Sequence, residues 1–457
     1  MVYSAGDCWG YHVSQLRDYQ TATIDRVRTH MRAGRRRVLA VLPTGAGKTR
    51  TAAEVVCRVV ANGQRALWFA HRAELVDQAV AELTRHGLVV GALSASAQSP
   101  PNPFAHVQVA TIQTLLARKE RPRADLLVAD EAHHYVADEF STLIADYPSA
   151  ITLGLTATPE RSDGRGLGEI FDALVVGATI KQLTSLGHLV PCEIIRPSKH
   201  LQSGQIAQSP IDAYVQHAMG RKAIVFARSI ELAEAYAADY NLRGIAARTI
   251  SAETPWPERC LYLDDFKRGK VRVLCNVFAL TEGLDVPDMS CVILARGFST
   301  SGPYLQAVGR ALRPAPRKSD ALVIDLRGAT WELGHPEDER VYSLDGKGIR
   351  LSDANTYCPV CGAARIPGEG CTACGWQTTV DEGKPDKVTG DPLVKYAQIR
   401  RDDADARVAR LAKWIAAGKA AGHKETAACH KFKAVYGAWP ASVVLSAARE
   451  RAGEVAA

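Results

Sequence analysis

The chain has 457 residues, and its 56 Lys and Arg against 49 Asp and Glu leave a formal charge of +7. At about 150 residues per domain this length predicts roughly three domains. The 47% hydrophobic and 23% charged content excludes long-range disorder, and no apolar run is long enough to span a bilayer. Met1 to Gly10 carries Asp7 and lacks a basic-then-apolar leader, so an intracellular, cytoplasmic location is expected. The positive surplus is compatible with nucleic acid without establishing it.

From about residue 36 onward, short apolar runs alternate with segments of helical period. Arg37 to Leu42 reads as a buried strand, followed by a glycine-rich turn and a helix from Lys48 that stops at Asn62-Gly63. Arg65 to Ala70 is the next strand, and the helix after it ends at Gly87. Further strands are expected near Val107–Ala110, Leu126–Asp130 and Ile151–Leu155. This alternation predicts a parallel sheet covered by helices. The pattern restarts with strands at Ala223–Phe226, Ala246–Ile250, Val271–Asn276, Cys291–Ala295 and Ala321–Asp325. Gly187 to Pro210, with three prolines, reads as the join. The expected domains are 1–193 and 194–330, then a Gly-, Pro-, Asp- and Cys-rich module over 331–390 and a helical tail over 391–457. In the tail Val408, Leu411, Trp414 and Ile415 share a face. Residues 390–457 hold 12 Lys and Arg against 7 Asp and Glu, so most of the excess charge lies there.

Leu42-Pro43-Thr44-Gly45-Ala46-Gly47-Lys48-Thr49 lies between a strand and a helix, the context of a phosphate-binding loop. Glycines let successive N–H groups converge on one anion, Lys48 reaches the outer phosphates, and Thr49 offers a hydroxyl to magnesium. Leu42 stands where the general motif has glycine, so the alternative is a plain glycine-rich turn. Asp130-Glu131-Ala132-His133 follows an apolar strand, at the sheet edge where ligands bind in open α/β folds. There Asp130 suits magnesium, and Glu131 suits the attacking water. An acidic surface loop is the alternative.

Taken together, these segments resemble the superfamily 2 helicases with a DEAH-type box, over nearly all of residues 15–315. Leu16-Arg17-Asp18-Tyr19-Gln20 resembles the adenine-recognising motif, which implies Arg17 and Gln20 at the base. Phe69 to Arg72 resembles motif Ia, Ala110 to Gln113 motif Ib, and Leu155 to Pro159 motif III. Val225 to Ser229 resembles motif IV, Asn276 to Pro287 motif V, and Gln306 to Arg313 motif VI. The resemblance implies two tandem RecA-like domains with ATP and magnesium held between them. Lys48, Asp130, Glu131, Arg310 and Arg313 would be catalytic. Thr44, Gly45, Ala46, Gly47, Thr49, Gly283 and Asp285 would join Arg17 and Gln20 around the nucleotide. His133, Thr156, Thr158 and Gln306 would couple nucleotide state to movement. Arg72, Thr111 and Arg228 would touch nucleic-acid phosphates. Asn276 stands where motif V usually opens with threonine, which weakens one strand contact.

The chain has eleven cysteines, seven of them scattered. Cys358-x-x-Cys361 and Cys371-x-x-Cys374 form two tight pairs with glycine after each second cysteine. This spacing suits tetrahedral thiolate ligation of a structural zinc ion. A disulfide pair or an iron–sulfur cluster is the alternative. A two-domain motor followed by such a ribbon resembles the RadD-like and XPB-like branch. In the tail, Lys431-Phe432-Lys433 and Tyr436 to Pro440 suit single-strand contact, or a small helical core. The expected partner is DNA, single-stranded or forked, with RNA as the rival. A double-strand translocase without strand separation and a catalytically dead nucleic-acid adaptor are the remaining readings.

Overall fold

The computed structural model describes residues 16–93, 102–119, 121–135, 137–161, 166–198, 201, 204–280, 286–350 and 386–396, with short pieces at 356–357, 364–365 and within 411–452. Seven parallel strands form the first sheet: β1 (Arg37–Val41), β2 (Ala66–Ala70), β3 (Val90–Leu93), β4 (Val107–Thr111), β5 (Leu126–Ala129), β6 (Ile151–Thr156) and β7 (Ala173–Val176). Their spatial order is β3-β4-β2-β5-β6-β1-β7. Both faces are covered, which is why β2 and β5 read as continuous apolar runs and are buried at every residue.

The second sheet contains β8 (Cys192–Pro197), β10 (Ala223–Phe226), β11 (Ala247–Ile250), β12 (Val273–Asn276), β13 (Cys291–Leu294) and β14 (Ala321–Asp325), and a two-residue strand β9 (Gln205–Ile206) lies outside it. The order is β11-β12-β10-β13-β14-β8, with one further strand beyond β8. Expected and observed strands agree within a residue or two. The edge strands β3 and β7 and the interior strand β8 were not expected; β3 carries Gly91, and β8 carries Glu193, Arg196 and Pro197, so neither of these two has a clear apolar period.

The domain limits differ from the expectation at both ends of the second unit. β8 starts inside residues assigned to the first domain. More consequentially, the chain returns to the second sheet after the cysteine module. Strand β19 (Lys387–Val388) pairs with β9, and β20 (Leu393–Lys395) adds antiparallel to β8. Asp391 accepts from the Ser198 N–H at 2.9 Å. Arg196 is stacked between Trp331 and Tyr396, 3.6 and 4.3 Å from the ring centres. Residues 334–385 are therefore an insertion into the second domain rather than an appendage.

The first part of that insertion, the hairpin β15 (Arg340–Ser343) with β16 (Gly346–Arg350), crosses to the first domain. There the Gly168 N–H donates to the Leu344 carbonyl at 2.8 Å, and Tyr342 and Leu344 pack beside Leu167 and Phe171. β17 (Thr356–Tyr357) and β18 (Ala364–Arg365) are antiparallel partners that flank the first cysteine pair. Cys358, Cys361, Cys371 and Cys374 lie outside the described residues, as do Lys431 to Pro440. In the tail Leu411, Ile415, Ala428 and Ala448 share a small apolar cluster with Trp414 against it. No helix among the described residues is long and apolar enough to cross a membrane.

The return of the chain also changes the setting of Arg228. Its guanidinium is 3% exposed, 3.4 Å from the Asp386 carboxylate, which also takes Arg327 at 2.8 Å and the Tyr236 hydroxyl at 2.9 Å. A side chain expected on a nucleic-acid surface is thus held in the interior by an acid from beyond the cysteine module. Removing one member of such a buried pair leaves charge without compensation, so Asp386→Ala should lower unfolding free energy by about 3 kcal/mol or more. Thermal unfolding of the variant checks this.

Candidate nucleotide site and interdomain cleft

Strand order brings the first-domain motifs together. β5, β6 and β1 are consecutive in the sheet, so their carboxyl ends are neighbours at about 4.8 Å spacing. From them emerge Asp130-Glu131, then Thr156 to Thr158, then the loop Pro43 to Gly47.

That loop requires glycine at two points. Gly45 and Gly47 have φ of +88° and +78°. A Cβ on Gly47 would stand 2.6 Å from the Gln20 amide nitrogen. Gln20 is buried because it braces the loop: its Nε2 donates to the Ala46 carbonyl at 3.2 Å, and its Oε1 accepts from the Arg17 N–H at 3.0 Å. Tyr19 donates to the same Ala46 carbonyl at 2.8 Å. The helix Lys48–Ala61 starts directly after Gly47, which puts Thr49 and free N–H groups in its first turn.

Lys48 Nζ lies 3.3 Å from Glu131 Oε1, with the two side chains 10% and 11% exposed. Glu131 has φ of +47°, a left-handed conformation that costs a non-glycine residue about 1 kcal/mol or more. The Glu131 N–H donates to Asp130 Oδ1 at 3.0 Å. Beneath them the Tyr135 hydroxyl donates to the Asp130 and Phe69 carbonyls at 2.7 and 2.9 Å. No sequence pattern singled out Tyr135; its partners are visible only in the fold.

Motif VI approaches from the other domain on the helix Ser301–Ala311. It sits so close that a Cβ on Gly309 would meet Thr44 Cβ at 2.7 Å, and one on Gly45 would meet Arg313 Cγ at 3.3 Å. Arg310 is 8% exposed on the same helix. Neither arginine faces bulk solvent.

Gln306 completes a chain of hydrogen bonds across the cleft. Its Nε2 donates to His133 Nε2 at 3.0 Å. His133 Nδ1 then carries the ring proton and donates to Thr156 Oγ1 at 3.0 Å. Thr156 Oγ1 in turn donates to the Thr158 carbonyl at 2.5 Å. His133 Nδ1 is also 3.6 Å from Glu131 Oε2. The four residues expected to couple the domains are therefore one connected network that ends beside the Lys48–Glu131 pair.

Other expected residues are placed less centrally. Arg72 precedes the helix Ala73–Arg85 and is half-buried. Thr111 Oγ1 accepts from the Thr114 N–H at 3.3 Å and so caps the short helix after β4. Asn276 is fully buried: its amide donates to the Val225 carbonyl at 3.0 Å and its oxygen accepts from the Leu280 N–H at 3.2 Å. It shapes the start of motif V from inside. Gly283 and Asp285 lie outside the described residues. Two bridging residues have no sequence signal. Arg259 pairs with Glu74 of the first domain at 3.7 Å. Lys318 donates to the carbonyls of Arg313, Pro287 and Met289 at 2.7, 2.7 and 2.5 Å, which ties the end of motif VI to the exit of motif V. Burial pushes its ammonium down to about 8.

Known proteins share this architecture. Residues 14–161 match the family model of the type III restriction enzyme res subunit, and residues 207–315 that of the helicase conserved C-terminal domain. A 51.5 kDa protein of a Lactococcus phage is 30% identical over 74% of this chain and 78% of its own length. IRC3 of Saccharomyces cerevisiae, described as an ATP-dependent helicase, is 25% identical over 75% of this chain, which spans only 56% of that protein. The DNA 3'-5' translocase XPB2 of Sulfurisphaera tokodaii is 24% identical over 68% of this chain and 81% of its own. Among solved structures, a fragment of an HsdR subunit of a type I restriction enzyme from Vibrio vulnificus YJ016 shares the fold, with TM-score 0.58, 23% identity and coverage of 74% of this chain and 71% of that one. The chain belongs to the superfamily 2 helicases and is a nucleic-acid-dependent ATPase.

Proposed function

We propose that the protein is a DNA translocase or helicase that moves by closing and opening the cleft between its two domains around ATP and magnesium. The observation that carries this reading is the hydrogen-bond chain from Gln306 through His133 and Thr156 to Thr158, since it makes motif geometry in one domain depend on the position of the other. In this reading the N–H groups of Thr44 to Gly47 and the Lys48 ammonium hold the phosphates, and Gln20 steadies the loop beside the base. The Thr49 hydroxyl and the Asp130 carboxylate are of the chemical kind that holds magnesium. Magnesium bound there would neutralise phosphate charge. Glu131 orients the attacking water, and Arg310 and Arg313 meet the charge that spreads over the transferred group. Support for DNA over RNA comes from the similarity to an archaeal DNA translocase. Arg72 and Thr111 remain the candidates for phosphate contact on the first domain, where binding would be salt-sensitive and tolerant of sequence.

ATP turnover should therefore be compared with single-stranded DNA, duplex DNA, forked DNA and RNA, alongside a strand-displacement assay. The expected result is stimulation by DNA, strongest with single-stranded or forked DNA. Stimulation by RNA alone would overturn the DNA reading, and stimulation by duplex without strand displacement would make the protein a double-strand translocase. Gln306→Ala should cut nucleic-acid-stimulated turnover about tenfold, within the usual range of coupling energies. Equal stimulation in that variant would remove the network from the stroke.

We also propose that Cys358, Cys361, Cys371 and Cys374 hold one structural zinc ion in a ribbon. The spacing supports this, together with the antiparallel strands that flank the first pair. Metal analysis of the purified protein should find about one zinc per chain, and iron or no metal would overturn the ribbon.

A further inference from the structure

Glu160 follows motif III in the first domain, yet its side chain belongs to a helix of the second. It is 4% exposed. Its Oε1 accepts from the Ser301 hydroxyl at 2.5 Å and from the Gly302 N–H at 3.1 Å. These are the first two residues of the 11-residue helix that carries Gln306 and Arg310. Thr300, the residue in the usual capping position, makes no side-chain cap. The helix start is also pressed onto motif III, since a Cβ on Gly302 would stand 2.8 Å from Thr158 Oγ1.

From this arrangement we infer that Glu160 is a positioning residue for ATP hydrolysis, acting as an interdomain cap that sets where the motif VI helix lies along the cleft. A helix start exposes N–H groups without partners and a partial positive charge, so a buried carboxylate there is held firmly. Here acceptor and donors sit on different domains. The contact can form only when the cleft is closed, and its formation fixes the axial position of a rigid rod. Three points along that rod then meet the first domain: Ser301 and Gly302 on Glu160, Gln306 on His133, and Gly309 on Thr44. Arg310 follows directly after the third. Glu160 touches no expected nucleotide group, so its effect passes through the helix to Arg310. The inference rests on the proposed nucleotide site.

The test is steady-state ATP hydrolysis with saturating DNA for Glu160→Ala, Glu160→Gln, Ser301→Ala and the Glu160→Ala/Ser301→Ala double variant, with melting temperatures measured alongside. Glu160→Ala should lower kcat about tenfold while KM for ATP moves less than about threefold, the pattern expected when Arg310 loses its alignment on the transition state. Glu160→Gln keeps an acceptor oxygen and should stay within about threefold of the parent. The double variant should be no worse than Glu160→Ala alone, because both changes remove one interaction. A folded Glu160→Ala that turns over at the parental rate, a loss confined to KM, or additive losses would each overturn the inference. If Glu160→Ala does not fold, Ser301→Ala carries the test: its kcat must fall with KM unchanged. Lys48→Ala is measured in parallel; normal turnover there would sink the nucleotide site itself, independently of Glu160.

Discussion

Lys48→Ala is expected to reduce ATP turnover by at least about 10²-fold, which in practice means loss of activity above background. The ammonium lies between the phosphate-binding loop and Glu131, the position from which it reaches outer phosphates and the charge that develops on them. Alanine removes the cation from a site about nine-tenths buried, where water replaces it poorly. It also leaves Glu131 without its 3.3 Å partner, so the variant should bind ATP more weakly as well as hydrolyse it more slowly. Phosphate release and binding of a non-hydrolysable ATP analogue, each with saturating DNA, check both effects. Near-normal release would remove Lys48 from the site.

Glu131→Gln should separate binding from chemistry. Glutamine has nearly the same shape and still fits beside Lys48, so the phosphates keep their cation and ATP binds. What disappears is the basic carboxylate that accepts a proton from water, a contribution of about 10²–10⁴ in rate. Single-turnover hydrolysis should slow by that factor, while ATP binding changes little. Because hydrolysis releases the closed cleft in the proposed stroke, the variant should also hold DNA longer in the presence of ATP. Fast hydrolysis would take Glu131 out of its role. The two variants thus differ in kind, since one loses both binding and turnover and the other loses turnover alone.

The regular skeleton was legible in advance because it depends on short contiguous patterns. The run Ala223 to Phe226 is apolar at every position and became β10 over those residues, and Ala321 to Asp325 became β14. The strands without a sequence expectation lack a long apolar run, because β3 is interrupted by Gly91, β7 has four residues and β8 carries charged residues and a proline. β8 is the clearest case: with Glu193, Arg196 and Pro197 it reads as linker, yet it holds the second sheet because β14 and β20 pair on its two sides. The burial of Arg228 likewise depends on a partner that its local sequence does not reveal. A basic residue after a strand in a motor domain reads as a phosphate contact, but Asp386 compensates its charge from far along the chain.

What the sequence by itself determined is the inventory of chemistry and its attachment points: a glycine loop between strand and helix, carboxylates at a strand end, and two arginines three apart on one helix. Such properties are local, set by backbone conformation and periodicity over a few residues. Tertiary structure alone decided which groups meet. Glu131 folds back to Lys48 through a left-handed backbone, Glu160 caps a helix of the other domain, and Lys318 ties motif VI to the exit of motif V. Each of these is a pairing of polar groups withdrawn from water, and the partner is fixed by strand order and domain packing. Neighbours in the chain carry no record of that choice.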